Sequence, residues 1–379
     1  MAGSGFQAML QLGSLATEPA PAALMSALDT IVVTQSDQCP SACQLSFTAE
    51  RTPSDGGDFA VVANPLLNIG GRIIVSVSVL GNPSVVFDGF ITHQELAPPT
   101  STQPGSFTVT AEDVSVAMDL YEYSLEYPEM PDSVIALTVL GKWAALGIWP
   151  DVRPSITSAL TFLSVPQQMG TDRNYMRQLA ANNGNIFCII PGPGIGQNRA
   201  YWGPPPLNDP AQAVLTIDSG PAATVESIRF SYDGLAPSFA YGTVEVDALE
   251  GAPVPVMTVA STRPAQLATR PALTSNGLFA RHVLFDHYGL DLVRSTITAQ
   301  ALTDSSTDQV VTAQGTLDAL RYGGVLVAPG VVPLRGAGLT YDGLYYVKQV
   351  QHTIGRGGYK QDFVLTREGV GSTIGRVPS

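Results

Sequence analysis

One stretch of this chain occurs twice, and a duplicated element limits the possible folds more than any other feature of the sequence. Ile69-Gly70-Gly71-Arg72-Ile73-Ile74-Val75 resembles Tyr322-Gly323-Gly324-Val325-Leu326-Val327-Ala328. Asp88-Gly89 follows the first glycine pair and Asp342-Gly343 the second, at nearly equal spacing. Each Asp-Gly leads into an alternating run, then a polar turn, then a further run at 107–110 and 363–366. Gly-Gly suits a tight entry into a strand, and Asp-Gly suits a turn that needs positive φ. Three elements recurring in one order imply two copies of one small β-barrel. The structural turn residues are then Gly70, Gly71, Asp88 and Gly89 in the first copy, and Gly323, Gly324, Asp342 and Gly343 in the second.

Between the copies the pattern changes. Residues 133–147 have near-helical apolar spacing at Val134, Leu137, Leu140, Ala144 and Leu146, with Asp132 or Ser133 as N-cap. A second helix is expected over 172–183, capped by Thr171 or Asp172, burying Tyr175, Met176 and Leu179, and ended by Asn182-Asn183-Gly184. A buried strand at 185–190, a PGPGIG break and a strand at 199–202 follow. The expected class is mainly β with an α/β insert. Its parts are a flexible arm over 1–24, a first barrel over 25–122, a linker and α/β domain over 123–223, a second barrel over 224–368 with a short helix at 277–288, and a tail over 369–379.

Composition narrows the function. Charged residues make up 13% of the 379 residues, against roughly 25% in a typical soluble domain. Lysines number three and arginines sixteen, the bias of surfaces that meet other chains, since a guanidinium is more easily desolvated. The net charge is −13, and residues 1–130 hold fourteen Asp/Glu against two Lys/Arg. Such an acidic first third repels nucleic acid and anionic lipid. No basic-then-apolar leader opens the chain, and the most apolar stretch, 134–149, is short and interrupted by Lys142. A soluble protein, assembled where it is made, is expected.

Chemistry-bearing motifs are few. No G-x-S-x-G, H-E-x-x-H or phosphate loop is present. Gly192-Pro193-Gly194-Ile195-Gly196 mimics a dinucleotide loop, but Pro193 and the lack of a following helix make it an ordinary turn. Cys188 lies in an apolar run; Cys39 and Cys43 have no further ligands at metal spacing. His282 and His287 fall on different helix faces, Asp286-His287 has no nucleophile nearby, and His93 and His352 sit just after the two Asp-Gly pairs as barrel-strand positions. The strongest enzyme-like signal is Tyr121, Glu122, Tyr123, Glu126, Tyr127 and Glu129, carboxylates among aromatics as in glycan-cleaving sites. Such pairs normally come from separate strands, whereas these crowd one segment, so 119–132 reads as a docking linker. A glycan-acting enzyme or lectin using that segment is the alternative, and a plain β-rich binding module a third reading.

Residues 169–187, MGTDRNYMRQLAANNGNIF, with RAYWGPP at 199–205, LGKWAALGIWPDV at 140–152 and GLTYDGLYYVKQVQHTIGRGGYKQDF at 338–363, resemble the phage late control D and baseplate hub family. These motifs occur in family order across nearly the whole chain. The resemblance implies a structural, cofactor-free homotrimer in which two barrels per subunit make a pseudo-sixfold ring. That ring would adapt a sixfold tail tube to a threefold spike, among baseplate wedge components, in a contractile phage or injection particle assembled in the bacterial cytoplasm. It implies no enzyme, no metal, no nucleic-acid recognition and no membrane insertion. Type VI spike proteins carry an OB-fold and needle after the hub; this chain stops soon after its last expected strand, so the resemblance implies a separate spike chain.

Overall fold

A computed structural model describes residues 2–3, 5–51, 58–155, 165–218, 220–246, 252–275, 279–285 and 292–374. The first third is β: β1 (Phe6–Gly13), β2 (Leu28–Ser36), β3 (Ala42–Thr48), β4 (Arg72–Val79), β5 (Asn82–Ala97) and β6 (Ser106–Asp113). The middle holds β7 (Glu122–Glu126), α1 (Asp132–Gly141), β8 (Ile148–Val152), β9 (Gln167–Thr171), α2 (Asp172–Asn182), β10 (Ile186–Pro191) and β11 (Asn198–Gly203). The last part holds β12 (Val225–Tyr232), β13 (Ser238–Val246), β14 (Ala252–Met257), β15 (Arg281–Phe285), α3 (Leu292–Thr307), β16 (Val311–Asp318), β17 (Gly330–Arg335), β18 (Gly343–Gly355) and β19 (Gly358–Arg367).

The duplication is real at the level of topology. Strands β2 to β6 pair in the order β4-β5-β6-β3-β2, and β12 with β16 to β19 pair in the order β17-β18-β19-β16-β12. These are the same five-stranded antiparallel unit. The register agrees as well. β2 bulges at Asp29 against β3, and β12 bulges at Glu226 against β16. β5 bulges at Thr92 against β6, and β18 bulges at Lys348 against β19. A bulge leaves one extra residue unpaired and turns the strand, so two bulges at corresponding places fix the alignment of the units residue by residue.

Two expectations about the units need correction. Neither unit closes into a barrel: among the described strands, the units join edge to edge through β2 and β18 into one open sheet. The motifs that revealed the repeat are also out of register with the structure. With the bulges aligned, Gly71 corresponds to Gly330, because Gly71 meets Ile91 as Gly330 meets Val347. Asp88, paired with Ile74, corresponds to Leu344, paired with Pro333. Similar strand-entry chemistry evolved at neighbouring positions, and a sequence match aligned the chemistry instead of the strands.

The arm and linker expectations fail too. β1 runs antiparallel along β4 and buries Phe6, Ala8, Leu10 and Leu12, a clear period of two hidden among Ala and Gly residues. β7 pairs with β9 in a two-stranded ribbon, and Tyr127 just beyond is buried. At the other end Gly369–Val370 pairs with Arg270–Pro271, so the start of the expected tail is ordered; residues 375–379 lie outside the described residues.

The α/β middle is as expected, with its details adjusted. α1 begins after Pro131 and buries Ile135, Ala136, Val139 and Leu140, while Val134 and Leu137 face outward. α2 is capped by Thr171, whose Oγ1 accepts from the Asn174 amide at 3.3 Å, and buries Tyr175, Met176 and Leu179. β10 and β8 flank β11, and Trp202 at its centre is fully buried. The helix expected over 277–288 is instead strand β15, with His282 on it; His287 lies outside the described residues. The helix of this insertion is α3, packed on the β13–β15 sheet through Ala299. Its buried side is Ser295, Ala299, Ala301, Thr303 and Asp304, too polar to register as an apolar stripe.

Candidate assembly site

The eight turn residues separate into different environments. Gly70 (φ +82°) and Gly71 precede β4 as expected. Gly323 (φ +76°) instead ends the short helix Ala319–Tyr322, and Gly324 follows it in open space. Gly343 (φ +138°) starts β18, and the Asp342 carboxylate accepts from the Ala337 amide at 2.7 Å across a turn. Asp88 and Gly89 are not in a turn at all. They lie inside β5, where Gly89 pairs with both Ile73 and Asp113. Glycine is required there for space: a Cβ would stand 2.0 Å from the Glu112 carbonyl oxygen and 2.7 Å from the Phe87 ring.

Asp88 has a different task from the one its sequence neighbour suggested. Its carboxylate receives Arg72 through Nε at 2.7 Å and Nη2 at 2.8 Å, and Asn198 Nδ2 at 2.8 Å. Arg72 Nη2 also reaches the Leu146 carbonyl at 3.4 Å. All three side chains are buried. The forked Arg–carboxylate geometry is directional, and here it binds the first unit to β11 and the turn before β8. A second tie runs from Arg173 on α2 to Glu112 at 2.8 Å and to Asp119. Within the middle part the fully buried Asp172 collects Lys142, Trp143 and Gln168. Arg72 standing in an otherwise apolar strand was the visible signal for this cluster; Asn198 gave none.

The joint between the two units is the second cluster. Gln35 on β2 donates to the Val86 carbonyl of the first unit at 2.9 Å and accepts from the Ala328 amide of the second at 3.2 Å. Beside it, His352 on β18 pairs with Val33 of β2. Gln361 accepts from the Leu326 amide, donates to its carbonyl, and points its remaining amide hydrogen at His352 Nδ1, 3.1 Å away. Tyr359 hydroxyl lies 2.8 Å from the same nitrogen. With the Gln361 amide so oriented, Nδ1 is the acceptor and the ring is the neutral Nε2–H tautomer. Burial pushes His352 down to about 3. His93, its expected counterpart, is exposed on β5, so the two histidines share a sequence context and nothing else.

Where both units, α2 and α3 meet there is a cavity of about 580 Å³. Asp37, Arg177, Arg263, Asp308, Tyr346 and Lys348 reach it. Burial raises Asp37 to about 6 although Tyr346 donates to it at 2.9 Å, and burial lowers Lys348. Arg263 is held by Asp308 and by the Gly184 carbonyl, so this region ties the insertion to the middle part.

The Tyr/Glu segment forms no facing pair of carboxylates. Glu122 and Glu126 lie on the exposed side of the β7–β9 ribbon, and Glu126 accepts from Gln167 at 3.1 Å. Cys43 and Cys188 are buried, with their thiols pushed up by burial, and Cys39 is exposed and unpaired. Among the described residues no three His, Cys, Asp or Glu side chains come together as a metal site, and no helix is long and apolar enough to cross a membrane.

No protein-family model matches the sequence, and no curated protein matches it. Solved structures do match in fold. The tail protein from Neisseria meningitidis MC58 aligns with a TM-score of 0.65 at 13% identity, over 97% of this chain and 98% of its own. The 43 kDa tail protein of prophage MuSo2 from Shewanella oneidensis gives 0.64 at 12% identity, over 96% and 98%. An E. coli component of the type VI secretion system, itself structurally similar to tail proteins of bacteriophage T4, gives 0.53 at 11% identity, over 90% and 73%. In fold, this chain stands with the baseplate-hub-like tail proteins that its sequence motifs resemble.

Proposed function

We propose that this chain is the structural hub of a contractile-tail-like particle: a homotrimer whose six β units form a pseudo-sixfold ring between a sixfold tail tube and a threefold spike. The duplicated unit carries this reading. One chain holds two copies of one strand order with matching bulges, so three chains hold six, the number a sixfold tube meets. The low charge and scarce lysine of the chain fit a subunit most of whose surface is covered in the particle. On this reading the protein has no catalytic role and no cofactor, its partners are its own copies, the spike, the tube and baseplate wedge components, and it assembles in the bacterial cytoplasm. Sedimentation or light scattering of the purified chain, alone and with the spike protein encoded beside it, tests this. A trimer and ring-shaped particles in negative stain are expected; a monomer at micromolar concentration with the spike present overturns it.

A further inference from the structure

Within one chain the two units join at a defined place. β2, last in the first unit's sheet order, lies along the part of β18 beyond its bulge, pairing Ser36 with Gln349 through Thr30 with Gly355. Each unit therefore has two joining edges: the outer edge of its last strand, and the edge of its long strand past the bulge. In the pair of units one edge of each kind is used. The other two are unused among the described residues. β12, the counterpart of β2, pairs only with β16. β5, the counterpart of β18, has backbone bonds to Gly70 and Gly71 at Ile91, and beyond the Thr92 bulge pairs only with β6.

We infer that β12 of one copy adds antiparallel to the His93–Ala97 edge of β5 in the next copy, repeating between subunits the joint that β2 and β18 make within one. The inference rests on the trimer reading and names its contact. The aligned bulges also set the register, by carrying the β2–β18 pairing over to the corresponding residues. Asp233 then faces His93, Tyr232 faces Gln94, Ser231 faces Glu95, Phe230 faces Leu96 and Arg229 faces Ala97. The match is chemically sensible although it was fixed by backbone alone. The half-buried Phe230 and Leu96 meet as an apolar cross-strand pair, an exposed carboxylate meets an exposed imidazole, and no like charges face each other. Two different edges on one chain make a head-to-tail contact, which closes into a ring or runs on as a filament. With two units per chain, closure after three copies gives six equivalent positions.

Directly opposed residues of antiparallel strands have Cα atoms about 4.5–5.5 Å apart, within disulfide reach. The test is a Glu95→Cys/Ser231→Cys chain in which the exposed Cys39 is replaced by Ser, oxidised at native concentration and run on a non-reducing denaturing gel. Both positions are exposed, so the fold itself is not at stake. Covalent dimers and trimers are expected, at about tenfold the yield of a Gln94→Cys/Ser231→Cys control, where a one-residue slip points the thiols to opposite faces. Mixing the two single-cysteine chains after dissociation should give cross-linked dimers and no larger species, as a head-to-tail contact requires. If the native mass is a trimer but Glu95→Cys/Ser231→Cys cross-links no better than the control, this joint is wrong while the trimer reading stands. If the chain stays monomeric even with its spike, both are overturned.

Discussion

Replacing Asp88 by Asn is the most informative single change. The substitution keeps size and shape and removes one charge from a cluster in which Arg72 and Asp88 are 5% and 2% exposed. The Arg72 guanidinium then retains one weak partner, the Leu146 carbonyl at 3.4 Å, and the Asn198 amide faces another amide. Breaking a buried pair by removing one partner costs about 3–5 kcal/mol, because the remaining charge is left unsolvated. Replacing both ions by apolar residues, Arg72→Met with Asp88→Leu, leaves only the Asn198 donor unpaired, at about 1–3 kcal/mol. The double variant should therefore be more stable than Asp88→Asn alone. All three tryptophans, Trp143, Trp149 and Trp202, lie in the middle part, so urea unfolding followed by fluorescence reports that part, and far-ultraviolet dichroism reports the sheets. Asp88→Asn should lower the fluorescence midpoint most, since the cluster holds β11 against the first unit. A cost below about 1 kcal/mol, or a double variant less stable than the single one, would refute the argument that this cluster clamps the two parts through a desolvated charge.

Gly89→Ala should cost about 2–3 kcal/mol, because β6 must move away from the new Cβ, while Gly324→Ala, where a Cβ meets nothing within 4 Å, should change the urea midpoint little; equal effects would mean the β5–β6 approach is loose. His352 titrates near 3 in the folded chain against an ordinary 6.5, so below pH 6.5 the unfolded chain takes up a proton that the folded one refuses. Stability should fall as pH drops from 6.5 toward 3, by about 1.4 kcal/mol per unit from this group. Asp37, raised to about 6 from 3.8, acts in the opposite sense between those values, so the diagnostic is the difference between wild type and His352→Leu, which should lose this slope. Glu122→Gln, Glu126→Gln and Glu129→Gln should leave trimer mass unchanged; release of reducing sugar from peptidoglycan by the wild type, abolished in one of them, would restore the enzyme reading.

Much of the architecture was legible because alternation is a backbone property. The strands around Ile73, Val109, Tyr345 and Phe363 show it plainly, and α2 announces itself through Thr171, Tyr175, Met176 and Leu179. β1 carries the same alternation and was obscured by the Ala- and Gly-rich residues around it. α3 was invisible for a physical reason: its buried face is held by Thr303 bonding Thr258, and by Asp304 bonding Ser261 and Thr262, so it lacks the apolar stripe that periodicity detects. The repeat was legible in kind but not in register, because glycine pairs and Asp-Gly serve entries, a helix end and a tight strand crossing alike. The assembly clusters were the least legible. Gln35, Asn198 and Gln361 owe their importance to partners distant in sequence, and nothing local marks them.

The β2–β18 joint has a mechanical consequence. Its seven residue pairs lie side by side along two antiparallel strands, with their hydrogen bonds perpendicular to the strand direction. A force pulling the two units apart along that direction loads all the rungs at once, and slippage must carry every side chain past its neighbour, including Gln35 with its bonds into both units and the packed ring of His352. A force across the strands would meet the rungs one at a time, as a zip opens. The joint is thus stiff to sliding and weak to peeling, and a thrust transmitted along these strands would pass from one half of the chain to the other with little give.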